Sequence, residues 1–108
     1  MAAEIAKRYL GTPYVWGGAG PGGFDCSGLV SYVYGKLGVS LPHNAAAQYY
    51  IGRTVRGKLH PGDRVYYHGL GHTGIYVGHG EMIEAPHTGS VVRYATVYRS
   101  GYIGAKRF

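Results

Sequence analysis

The chain is 108 residues long, room for one domain with a single core and none for a second. Its 11 Lys and Arg against 5 Asp and Glu give a net charge of +6, and these charges are scattered, which favours attraction to an anionic matrix over a nucleic-acid groove. A single cysteine excludes an internal disulfide, no stretch is long enough to span a bilayer, and residues 1–8 lack the apolar segment of a secretory leader.

Twenty glycines cluster around turns without a period, which excludes collagen-like and low-complexity chains. The 12 tyrosines suit half-buried sheet surfaces or a groove for sugars or peptides. In chain order, Ala2 to Leu10 carries Ile5, Ala6 and Leu10 on one face, a short helix that Gly11 ends. Thr12 to Trp16 is predicted to be extended, and residues 17–23 form a loop by composition. From Cys26 to Leu37 the residues Leu29, Val30, Val33, Tyr34 and Leu37 recur at helical spacing, with Asp25 at the N-cap and Gly38 at the C-terminal cap.

Asn44 caps a short alanine-rich helix, residues 45–50. His60-Pro61-Gly62-Asp63 is a turn, Arg64–Tyr67 a strand, and His68-Gly69-Leu70-Gly71 a second turn. Strands are predicted at about 72–78, 81–85 and 90–94, and a last one from Tyr102 to Arg107. Helices first and an antiparallel sheet afterwards is an α+β order.

Cys26 stands in Phe24-Asp25-Cys26-Ser27-Gly28, where a glycine-rich loop runs into the helix. A thiol there feels the positive end of the backbone dipole, which favours the nucleophilic thiolate. Lone cysteines in soluble domains are commonly buried structural thiols, but a core thiol has no need of a glycine-rich approach. His72 begins a predicted strand and Glu84 lies on the next one. Nucleophile, base and a group to orient the base thus follow one another, the order of a cysteine hydrolase. His43, His60, His68, His79 and His87 fall in predicted turns or caps, where a histidine is ordinarily structural.

Strand parity makes a geometric demand on Glu84. A three-residue loop Gly78-His79-Gly80 places Glu84 opposite Gly74, on the face of His72, whereas a two-residue loop His79-Gly80 turns it away. Gly74 shares that face and is expected to leave the thiol's approach open. A carboxylate beside a thiol opposes thiolate formation, so capping or substrate binding suits Asp25 better than catalysis. By residue type alone Tyr14 and Trp16 are core aromatics. The histidines lack paired ligand spacing and no phosphate loop is present, so neither a metal nor a cofactor is expected.

Four blocks carry a resemblance: Gly11-Thr12-Pro13-Tyr14-Val15-Trp16-Gly17-Gly18, Phe24-Asp25-Cys26-Ser27-Gly28-Leu29-Val30, Leu59-His60-Pro61-Gly62-Asp63 and Gly71-His72-Thr73-Gly74-Ile75-Tyr76-Val77-Gly78. In this order they resemble the NlpC-type family of bacterial cell-wall endopeptidases, over essentially the whole chain. The resemblance implies a papain-like fold and cleavage of peptidoglycan stem peptides between D-glutamate and a diamino acid. It makes Cys26 the nucleophile, His72 the base, and Glu84 the third residue, a position where many members carry histidine and others glutamate. Tyr14 matches a tyrosine that lies against the nucleophile and helps its oxyanion pocket. Asp25 and Ser27 match residues that help bind the stem peptide's free amine, and Trp16 becomes a cleft wall. His43 falls where relatives often carry a basic residue.

The expected partners are stem peptides and, through charge, anionic wall polymers, with the protein a monomer that binds no nucleic acid. The expected setting is the cell wall, as a domain of a larger secreted protein, or a bacteriophage lysin or tail. An amidase or acyltransferase would use the same thiol and histidine, and a non-catalytic wall-binding module is the competing reading from another class.

Overall fold

Two capped helices and a meandering sheet set the architecture, and the computed structural model describes all 108 residues. Helix α1 (Ala2–Lys7) buries Ala2, Ala3, Ile5 and Ala6, and the chain turns at Gly11, whose φ of +87° suits a residue without a Cβ. Helix α2 (Cys26–Lys36) is capped by Asp25, whose Oδ1 accepts the Gly28 N–H at 2.7 Å. Leu29, Val30 and Val33 make its inner face and are fully buried. Truncating Leu29 to alanine would cost about 2–5 kcal/mol. Lys36 in the last turn suits the dipole, and Gly38 at φ +79° follows the helix end. Helix α3 (Ala45–Tyr49) is capped by Asn44, which accepts the Ala47 N–H at 2.8 Å.

Between α1 and α2 the glycine-rich loop folds into a two-stranded ribbon, β1 (Ala19–Gly20) with β2 (Gly23–Phe24). The remaining strands are β3 (Arg53–Thr54), β4 (Arg64–Tyr67), β5 (Thr73–Gly78), β6 (Glu81–Glu84), β7 (Arg93–Thr96) and β8 (Tyr102–Arg107). They form one antiparallel sheet in the order β3-β8-β4-β5-β6-β7. Ile75 and Ile83 join Leu29, Val30, Val33 and Ile5 in the core under the helices. Alternate residues of the same strands, Tyr76 and Met82, pack with Val65, Tyr67, Val97 and Ala105 in a second core. The α+β fold expected from the sequence is the one observed.

Three details differ from the sequence reading. The strand expected at about 90–94 begins at Arg93, because Ser90, Val91 and Val92 pair with the extended segment 11–14 instead. Gly11 N–H bonds Val92 O at 2.9 Å, Val92 N–H bonds Thr12 O at 2.8 Å, and Tyr14 N–H bonds Ser90 O at 2.9 Å. The pair β1–β2 lies inside the stretch read as loop, where glycine composition conceals strand. Strand β3 is two polar, exposed residues, too short to show a period.

Candidate active site

Cys26 is the first residue of α2, at the end of the helix where the N–H groups lack intrahelical partners. Its thiol donates to the Gly71 carbonyl at 3.7 Å, so the start of α2 meets the chain just before β5. A cleft of about 280 Å³ opens over it, and Tyr14, Trp16, Asp25, Ser27, His43 and Leu70 are among its walls. His72 stands deeper, its side chain 18% exposed, with Nε2 2.6 Å from Glu84 Oε1. Because Nε2 is engaged by the carboxylate, Nδ1 is the ring nitrogen left to face the thiol.

The way Glu84 reaches His72 is a finding about register. The turn between β5 and β6 has two residues, His79 and Gly80, with Gly78 paired to Glu81. Both have positive φ, +56° and +75°, the signature of the tight turn that matches strand twist. Such a turn alone would point Glu84 to the wrong face. The ladder, however, shifts register between Tyr76 and Gly78, leaving Val77 as the extra residue of a bulge. Beyond the bulge Ile75 pairs with Ile83, so Gly74 faces Glu84 and parity is restored. Of the two loops the sequence left open, the two-residue one is observed, yet the bulge keeps Glu84 on the face that the three-residue loop would have given it.

The expectation for Gly74 also changes. A Cβ there would meet Met82 Sδ at 2.8 Å, the Ile83 carbonyl oxygen at 3.0 Å and Glu84 Cβ at 3.6 Å. The missing side chain makes room for β6, not for the thiol.

Glu84 is completely buried, and its carboxylate is held on every side. Arg99 reaches it as a fork, Nη2 to Oε1 at 2.7 Å and Nη1 to Oε2 at 3.2 Å. Arg93, its cross-strand partner on β7, donates Nε to Oε2 at 3.1 Å. Burial pushes the Glu84 pKa up, but His72 and then Arg99 outweigh it and hold it at about 2. Burial pushes His72 down, and the Cys26 sulfur and the Glu84 carboxylate reverse this, raising it to about 9. The site thus favours an imidazolium beside the sulfur.

At the mouth, Asp25 lines the cleft and is held from several sides. Its Oδ1 accepts from Gly28 N–H and lies 2.6 Å from His43 Nε2, while Oδ2 accepts the Gly17 N–H at 3.2 Å. The Ser27 hydroxyl is buried against the same carboxylate at 3.5 Å. Tyr14 is half-buried on the cleft wall, and burial, then the charges of Cys26 and Asp25, raise its pKa. Trp16 is 85% exposed, a wall of the cleft and not a core aromatic. The sequence reading treated His43 as a turn histidine, yet it lines the cleft beside Cys26 and pairs with Asp25. Its signals were its position just before the short helix and its match to a place where relatives often carry a basic residue. Arg93 and Arg99 were missed entirely, since nothing in a lone arginine points to a carboxylate distant in the chain.

The NlpC/P60 family model matches residues 11–106. A protein of Listeria welshimeri named probable endopeptidase p60 is 46% identical over 101 residues, covering 90% of this chain and 19% of that protein. The chain therefore spans about a fifth of that relative's length. The solved NlpC/p60 domain of the peptidoglycan hydrolase SagA superposes with a TM-score of 0.90 at 33% identity, covering 99% of this chain and 96% of that one. The Resuscitation Promoting Factor Interacting protein RipA gives a TM-score of 0.86 at 36% identity, covering 99% of this chain and 62% of that one. RipA has been solved in forms mutated at a cysteine, a histidine and a glutamate. The last two are twelve positions apart there, the separation of His72 and Glu84 here.

Proposed function

The chain belongs to the NlpC/P60 family, and on that premise we propose that it is a cysteine endopeptidase cutting peptidoglycan stem peptides at the γ-D-glutamyl–diamino acid bond. The observation that carries this reading is Cys26 at the first position of α2, beside a histidine whose other nitrogen lies 2.6 Å from a buried glutamate. Binding alone has no use for that arrangement.

The Cys26 thiolate attacks the amide carbonyl, its proton held by His72 through Nδ1. The Tyr14 hydroxyl and the Cys26 backbone N–H, one of the donors the helix leaves free, stabilise the oxyanion. Imidazolium His72 then returns the proton to the leaving amine, and water releases the acyl-enzyme. Glu84 fixes the His72 tautomer and stabilises the imidazolium. Asp25, Ser27 and Trp16 shape the peptide's approach. The net charge of +6 would draw the domain to anionic wall polymers, an attraction that salt weakens, and this supports a setting at the wall, as part of a larger protein or a phage particle.

Mass spectrometry of defined muropeptides incubated with the protein and with its Cys26→Ala variant tests the proposal. A split after D-glutamate that vanishes in the variant is the expected result. Intact substrate in both samples would overturn it and favour a wall-binding module.

A further inference from the structure

The chemistry attributed to Cys26 and His72 leaves one strongly built feature unused, the guanidinium of Arg99 behind Glu84. Arg99 comes from the loop after β7 and contacts neither the cleft nor the sulfur. It is nevertheless the arginine that spans both carboxylate oxygens, 2.7 Å to Oε1 and 3.2 Å to Oε2. Oε1 is the same oxygen that lies 2.6 Å from His72 Nε2. Arg93 reaches only Oε2, and its side chain is 45% exposed. A fully buried carboxylate with one histidine partner would bear most of its desolvation cost uncompensated and could rotate about its last torsion. The planar Arg99 fork removes both freedoms, because two parallel N–H donors fix the carboxylate plane as well as its position.

Arg99 is itself held. Its guanidinium carbon stacks 4.9 Å from the centre of the Tyr67 ring, and Tyr67 anchors its hydroxyl on the Val97 carbonyl at 2.8 Å. The same ring lies 5.6 Å from the His72 ring at 44°. Tyr67 therefore touches both ends of the relay, and Arg99, Glu84 and His72 enclose one another around it.

We propose that Arg99 is a positioning residue for the nucleophile pair: by gripping both oxygens of Glu84 it sets the plane in which Oε1 meets His72 Nε2, and so the direction in which Nδ1 faces Cys26. This rests on the reading of Cys26 and His72 as nucleophile and base. The charged groups around Glu84 are His72, Arg93 and Arg99, and Arg93 bonds one oxygen alone, leaving the carboxylate plane to Arg99. The distinguishing quantity is thus the fork itself, which lysine cannot reproduce.

The test compares the protein with Arg99→Lys, Arg99→Gln and Arg93→Gln, each checked for a cooperative thermal transition. Three readouts are taken: kcat and KM on a γ-D-glutamyl muropeptide, the rate of Cys26 alkylation by iodoacetamide, and the downfield NMR signal of the His72 Nε2 proton. Both Arg99 variants are expected to lose on the order of 10²-fold in kcat with KM little changed. Their alkylation should slow in parallel, and the proton signal should move upfield or vanish. Arg93→Gln should lose less than about tenfold and keep the signal. Folded Arg99→Lys with kcat, alkylation and proton signal as in the parent would overturn the proposal. Alkylation and NMR need no muropeptide. A parent that cuts nothing but whose thiol reactivity depends on Arg99 would refute the substrate reading and retain the positioning role; a thiol indifferent to Arg99 would refute the latter alone.

Discussion

Gln48 donates its buried side-chain amide to the carbonyl of Ser27, the residue after the nucleophile, at 3.0 Å. The same nitrogen donates to the Pro42 carbonyl at 2.8 Å, so one amide ties α3 both to the first turn of α2 and to the segment carrying His43. The far end of α3 is fastened by Arg64, fully buried, whose Nη1 donates to the Gln48 carbonyl at 2.8 Å and Nη2 to the Ile51 carbonyl at 2.6 Å. The nucleophile's helix start is therefore braced from the sheet through Arg64 and α3.

Gln48→Ala should cost about 2 kcal/mol, because it removes two hydrogen bonds of a fully buried side chain and leaves the Pro42 carbonyl without its donor. The loss should appear as a lower thermal midpoint together with slower Cys26 alkylation. A midpoint unchanged from the parent would show that the brace contributes nothing.

Gly74 offers a sharper lesion of the Glu84 geometry. A methyl group there would press on the Ile83 carbonyl oxygen at 3.0 Å and stand 3.6 Å from Glu84 Cβ. The backbone of β6 must shift to admit it, at about 1–3 kcal/mol. The shift carries Glu84 with it, so Gly74→Ala should reduce kcat on muropeptides more than it raises KM. Crystallography of the variant should show the 2.6 Å contact between His72 and Glu84 lengthened. Full activity in Gly74→Ala would mean that the glycine is merely tolerated.

The His72–Glu84 pair also sets a pH window for stability. His72 is raised from 6.5 to about 9 on folding, so its contribution is complete below pH 6.5 and lost as pH rises through 9. Glu84 is lowered from 4.5 to about 2, so its contribution is complete above pH 4.5 and lost as pH falls toward 2. Thermal midpoints should therefore hold a plateau between about pH 4.5 and 6.5, with His72 governing the alkaline decline. In His72→Gln that part of the decline should disappear. An alkaline limb identical in parent and variant would assign the loss to another group.

What the sequence could convey follows from the range of each signal. Helix α2 and its caps were legible because the apolar period, Asp25 and Gly38 all lie within one short stretch. The order of Cys26, His72 and Glu84 was legible for the same reason, one motif at a time. The bulge at Val77 was not, since a register shift depends on the pairing of two strands and leaves no mark in either alone. The strand read at 90–94 failed because Val91 and Val92 look alike whether they pair with β6 or with residues 11–14. Arg93 and Arg99 were invisible for a related reason: a buried carboxylate demands cations, but the sequence does not say which of eleven will reach it.

Asp25 separates capping from recognition in a single substitution. Its Oδ1 caps α2 through Gly28 and meets His43, while Oδ2 faces the Gly17 N–H and the cleft. Asn is as good an N-cap as Asp, so Asp25→Asn should leave stability within about 1 kcal/mol. What it removes is the charge. If that carboxylate meets the free amine of a stem peptide, the bond is charge-assisted, and its loss should raise KM about tenfold or more. A substrate with an acetylated N-terminus offers no ammonium group, and its kinetics should be unchanged by the substitution. Steady-state kinetics on the free and acetylated peptides decide the matter. Equal effects on both would reduce Asp25 to a cap, leaving the Ser27 and His43 side of the cleft to account for any preference for a free amine.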